Sequence, residues 1–137
     1  MFSYVCLGTN DLPAARAFYD AVLAPLGLQP CGVPGDEHWA GWAAPETATG
    51  TPVPALWVCH PFDGRSASVG NGTMVAFQAT SWAAVDAFHE AALRHGGRSE
   101  GAPGLRLQYA EDFYAAYVRD LDGNKLAVVC RGFIAAP

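Results

Sequence analysis

Apolar residues recur at helical spacing twice along the chain and alternate in short runs between. In the first half, Leu12, Ala15, Tyr19, Val22, Leu23 and Leu26 form one stripe, the pattern by which an amphipathic helix meets a core. Asn10 or Asp11 supplies its cap, Pro13 falls in its first turn and Gly27 follows its end, the punctuation a helix needs at each terminus. Residues 2–7 read as a strand before it, and residues 28–33, about 39–44 and 55–59 as strands after it, divided by Gly and Pro turns. The second half repeats the order. Residues 73–79 read as a strand, Ser81 caps a helix that runs to about Arg94, and Gly96-Gly97 ends it. Residues 105–109, 113–119 and 125–130 complete the half as strands, the last two joined by the turn Asp120-Leu121-Asp122-Gly123-Asn124.

The two halves resemble one another at selected positions when the chain is shifted by about 70 residues, matching at Ala, Phe, Ala and Leu of the helix with Asp against Glu. Ala17-Phe18-Tyr19-Asp20-Ala21-Val22-Leu23 falls on Ala87-Phe88-His89-Glu90-Ala91-Ala92-Leu93, Gly27 on Gly97, and Leu56 and Val58 on Leu126 and Val128. Such self-similarity is the mark of a duplicated structural unit. Each unit is βαβββ: module one spans about residues 1–66 and module two about 70–133 of a single domain, 1–137. One face of each sheet is covered by its own helix, and the other must find cover elsewhere. The two modules are therefore expected to associate and to enclose a space that a ligand would fill.

Composition narrows the function. Of 137 residues, 51% are apolar and 12% aromatic, enough to bury a core without staples and too apolar for general disorder. Eight basic side chains stand against 13 acidic ones for a net charge of −5, and they are spread singly, which disfavours nucleic acid. No apolar run approaches the roughly 18 residues of a membrane span, and the opening MFSYVCLGTND lacks a signal core. A soluble, cytoplasmic protein is expected. Cys6, Cys31, Cys59 and Cys130 show no metal-type spacing, so they read as buried free thiols. The chain has no nucleophile elbow, phosphate loop or dinucleotide fingerprint. His38, His60, His89 and His95 do not converge in any register that the strands allow.

The duplicated pattern, together with Phe2-Ser3-Tyr4-Val5-Cys6-Leu7-Gly8, Asn10-Asp11-Leu12, Ala17-Phe18-Tyr19-Asp20, Gly27-Leu28 and Tyr117-Val118-Arg119-Asp120-Leu121-Asp122-Gly123-Asn124-Lys125-Leu126, resembles the glyoxalase/bleomycin resistance/extradiol dioxygenase (vicinal oxygen chelate) superfamily. The last segment is similar to that family's strand–turn–strand signature, with Leu121 in place of the usual proline. The resemblance implies an α+β fold in which two βαβββ modules form a cupped mixed β-sheet with helices on the outer face. It also implies pairing as a homodimer.

In metal-using members of that family, His and Glu side chains on the first strand of each module and on the last strands hold a divalent ion. The matching positions are Tyr4, Met74, Trp57 and Ala127, which offer no such donor set. No metal and no other cofactor is expected. The resemblance then points to a cup that binds a small, mostly apolar or aromatic molecule, with Tyr4, Trp57, Met74, Gln108, Tyr109, Tyr114 and Ala127 as candidate ligand-binding residues. Two alternatives stand beside this reading. One is a metal-independent enzyme of the same fold, with Tyr4, Tyr109, Tyr114 or Glu111 as acid–base candidates; the other is a metal-dependent lyase or dioxygenase with an atypical ligand set.

Overall fold

Asp11 folds its carboxylate back onto the amide of Ala14 and starts the first helix, and Ser81 does the same for the second through Ala84, satisfying amides that a helix start leaves bare. The computed structural model describes residues 1–45 and 53–132. In order these form β1 (Tyr4–Gly8), α1 (Leu12–Leu23) with a 3₁₀ turn (Ala24–Leu26), β2 (Gln29–Cys31), β3 (Trp39–Ala43) and β4 (Ala55–Cys59). The repeat follows as β5 (Met74–Ala79), α2 (Trp82–Arg94), β6 (Arg98–Leu105), β7 (Tyr114–Arg119) and β8 (Lys125–Cys130). After α1 the chain reverses at Gly27, whose φ of 75° lies in the left-handed region that glycine adopts without strain.

The sheets are four-stranded, ordered β1-β4-β3-β2 and β5-β8-β7-β6. In each, the first strand runs parallel to the last and the remaining pairs are antiparallel. The duplicated α+β architecture expected from the sequence is therefore present. Alternation divides each strand between two faces. Leu7, Leu56, Val58 and Trp42 of the first sheet, with Val118, Leu126 and Val128 of the second, are buried on the helix side. They meet the α1 stripe of Leu12, Ala15, Phe18, Tyr19, Val22 and Leu23 and the α2 residues Val85, Phe88 and Ala92 in one core. None of the helices among the described residues is long and apolar enough to cross a membrane.

The modules join through α1 against α2 and through the turn after β7. Asp120 accepts bonds from the Tyr19 hydroxyl (2.6 Å), the amides of Asp122 (3.0 Å) and Asn124 (2.8 Å), and the Asn124 side chain (2.9 Å). Asn124 also donates to the carbonyl of Gly8 at 3.0 Å, and the Asn10 amide donates to Asp122 at 2.8 Å. The signature turn of the second half is thus fastened to the first strand and helix of the first half.

Several expectations need correction. The strand placed at 105–109 lies at Arg98–Leu105, and Leu107 to Tyr109 form a turn. That strand is polar and rich in Gly and Pro, with register shifts at Ser99/Gly101 and Gly101/Gly104. An edge strand tolerates both bulges and Pro103, so it escapes a pattern built on alternation. The corresponding edge strand of the first sheet, β2, is only Gln29-Pro30-Cys31. Cys6 and Cys31 are exposed, whereas Cys59 and Cys130 are buried as expected. Nor do the sheets enclose a closed space. Their helix-free faces stay open to solvent, with Tyr4 62% and Met74 44% exposed, because the modules pack through their helices and the turn.

His89 sits on the buried side of α2 with Nε2 2.9 Å from Ser99 Oγ. Burial lowers its pKa from 6.5, against a smaller opposing pull from Asp86. The folded state therefore binds this proton less readily than the unfolded chain does, so His89 contributes stability that is complete above about pH 6.5 and is lost as the pH falls below it. Thermal unfolding followed from pH 7.5 to 5.5 should show a loss of stability that is smaller in His89→Gln.

Candidate functional site

On the helix-free face of the second sheet, register aligns Met74 with Lys125 and Arg119, and Ala76 with Ala127 and Tyr117. Met74, Lys125 and Tyr117 of these rows line an open cavity of about 600 Å³, together with Glu100, Gly101, Arg106, Gln108, Tyr109 and Phe113. Its size falls in the range of small-molecule sites. Gly101 makes room for the Tyr117 ring: a Cβ there would stand 3.0 Å from Cδ2. Lys125 Nζ lies 5.8 Å from the ring centroid, and the Arg106 guanidinium 5.5 Å.

Arg106 is held by the bulged edge strand itself. Its guanidinium donates to the carbonyls of Gly104 (2.9 Å) and Ala102 (2.7 Å), neutral acceptors that fix its position and leave its charge uncancelled. Glu100, the acidic residue of the wall, bonds to Arg119 at 2.9 Å, and that bond holds its carboxyl below the usual range. The cavity therefore carries positive charge in a chain of net charge −5. At its rim, Tyr109 and Phe113 stand 5.2 Å apart on the loop before β7. The backbone of that loop is closed by Arg106 donating to Phe113 and Tyr109 donating to Arg106.

Met74, Gln108 and Tyr109, expected at a binding site, come together in this cavity. Tyr4 lines a neighbouring cavity of about 440 Å³ where β1 faces β5, with Phe2, Ala55, Ala76 and Gln78. Ala127 is 1% exposed and lines neither cavity. Trp57 covers the free face of the first sheet, its ring over Gly41 and 6.3 Å from Trp39 in an edge-on contact. Tyr114 is not with the others. It points to the helix side, stacks on Trp82 at 4.2 Å and donates to Asp86 at 2.7 Å; burial, then Asp86, pushes its phenol up to about 12. Glu111 is exposed on the loop outside the cavity. Its neighbour Asp112 accepts from the Gly132 amide (2.7 Å) and Arg131 (3.0 Å), bonds that lower its pKa. Arg106 was not singled out from sequence; the spacing of Gly101 and Gly104 before it was the available signal.

At the positions that the resemblance matches to metal ligands stand Tyr4, Trp57, Met74 and Ala127, a phenol, an indole, a thioether and a methyl. These do not make a set that a borderline divalent ion would use. Among the described residues, no three His, Cys, Asp or Glu side chains converge as a metal site.

Comparison with known proteins agrees with the fold. The family model described as Glyoxalase/Bleomycin resistance protein/Dioxygenase superfamily matches residues 2–128. A glyoxalase/bleomycin resistance protein from Albidiferax ferrireducens T118 is 36% identical, with a TM-score of 0.81 over 96% of this chain and 98% of that one. Two more distant structures share the fold alone. TnmS3, an antibiotic binding protein from Streptomyces sp. CB03234, is 16% identical with a TM-score of 0.62 over 96% of both chains. A mutant of the fosfomycin resistance protein FosX from Listeria monocytogenes, complexed with Mn(II) and 1S,2S-dihydroxypropylphosphonic acid, is 16% identical with a TM-score of 0.61 over 94% of this chain and 88% of that one. No curated protein matches the chain significantly. The matched span and the identity to the Albidiferax protein make this chain a member of the glyoxalase/bleomycin resistance protein/dioxygenase superfamily.

Proposed function

We propose that the protein binds a small aromatic molecule bearing an anionic group in the cavity of the second module, without a divalent metal. The observation that carries this reading is the pair of cations, Arg106 and Lys125, both against the Tyr117 ring in a cavity that the exposed Tyr109 and the half-buried Phe113 also line. The rings offer flat apolar surface and the cations an oriented charge, and such a site favours an aromatic carboxylate over its neutral analogue. The donor set at Tyr4, Trp57, Met74 and Ala127 supports the metal-free part. The antibiotic-binding role of TnmS3 on the same fold supports a binder that needs no turnover. The resemblance adds pairing into a homodimer, which light scattering would check, and four free thiols suit a reducing cytoplasm.

The test is a calorimetric titration with aromatic carboxylates and their matched amides. Carboxylates should bind, and Arg106→Met should weaken them about tenfold to a hundredfold, the worth of one charge-assisted hydrogen bond, while leaving the amides unchanged. Equal binding of amide and acid would defeat the proposal. Incubating each bound compound with the protein and weighing it afterwards distinguishes a binder from an acid–base enzyme, and elemental analysis of protein purified without chelator tests metal independence.

A further inference from the structure

β1 and β4 run parallel with Cys6 opposite Trp57 and Gly8 opposite Cys59. That register puts Cys6 and Cys59 on the same helix-free face, one diagonal step apart. Their sulfurs are 3.5 Å from one another although the residues are 53 positions apart in sequence. Cys6 is exposed and Cys59 is buried. A disulfide needs its sulfurs at about 2.05 Å, so the side chains must close by about 1.5 Å, within reach of a small rotation about Cα–Cβ.

We propose that Cys6 and Cys59 are a modification site that forms a reversible disulfide within the chain in response to hydrogen peroxide. In the first step the exposed Cys6 sulfur attacks one peroxide oxygen, the O–O bond breaks, and Cys6 becomes a sulfenic acid as water leaves. In the second, the Cys59 sulfur attacks the Cys6 sulfur, the S–O bond breaks, and the hydroxyl departs with the Cys59 proton as a second water. Two thiols are oxidised, one peroxide is reduced, and a dithiol reductant reverses the change. The unequal burial sets the order of the steps: burial, then the hydrogen bond with Cys6, pushes the Cys59 thiol up to about 11, so it waits as the resolving partner. The bond would tie the first strand of the module to its last beside Trp57.

The test is treatment of the full chain with hydrogen peroxide, thiol titration, and mapping of a digest made without reductant. Expected are the loss of two of the four thiols, a loss of mass equal to two hydrogens, a peptide linking Cys6 to Cys59, and restoration by dithiothreitol. In Cys59→Ser, Cys6 should instead gain oxygen atoms as sulfinic and sulfonic acid. A cross-link through Cys31 or Cys130, oxygen gain at Cys6 in the unsubstituted protein, or no loss of thiols would each overturn the proposal; all three are read on the unsubstituted chain, whatever the variant's stability.

Discussion

Asp120→Ala should lower stability by about 4 kcal/mol and the melting temperature by about 15 °C, as read by calorimetry. The carboxylate is 6% exposed and accepts bonds from Tyr19, the Asp122 and Asn124 amides, and the Asn124 side chain. Truncation leaves the buried Tyr19 hydroxyl and the half-buried donors of the turn without their acceptor. Unmade bonds in a dry site cost more than the same bonds contribute when made, because each bare donor has already lost its water. Tyr19 suffers most: it is fully buried, and burial, then the Asp120 charge, raises its phenol well above the usual value, so it remains a donor with nothing to donate to. Tyr19→Phe removes one member and its need together, and should cost only about 1 kcal/mol. A similar loss in both variants would contradict the network account.

Gly41→Val should cost about 3 kcal/mol and move the tryptophan emission, because a Cβ at this position would stand 2.5 Å from the Trp57 ring and the ring must give up its contact with the sheet to make room. The ring lies across the strand that Gly41 leaves bare, with Gly32 beneath its far edge, so it must swing off the sheet. Gly27→Ala is the control: at Gly27 a Cβ meets nothing within 4 Å, but φ is 75°, and the expected cost is the backbone strain alone, about 1 kcal/mol. Trp57 emission should be unchanged in it. The pair separates side-chain crowding from backbone conformation.

The helices and the strands 55–59 and 125–130 were legible because their signals are local: caps at Asp11 and Ser81, glycines at the ends, unbroken apolar runs. β6 was not, since Arg98–Leu105 has no alternation to read and owes its place to β7. The same parity that aligned Met74 with Ala127 also separates Tyr114 from Tyr117, which lie an odd number of steps apart on one strand; applied along β7 it would have sent Tyr114 to the helix side. Arg106 was hidden because it lies outside the regular ladder, held by two carbonyls of a bulged edge. The openness of the face and the meeting of Cys6 with Cys59 depend on packing and register between distant segments. Local pattern carries neither.

Each sheet has one edge strand that contains a proline, Pro30 in β2 and Pro103 in β6. Proline has no amide hydrogen to offer an incoming strand, and β2 is too short, and β6 too kinked, to serve as a template. Copies of the chain are thereby discouraged from zipping into fibrils along these two rims, which leaves the opposite edges, β1 and β5, as the strands open to any such pairing.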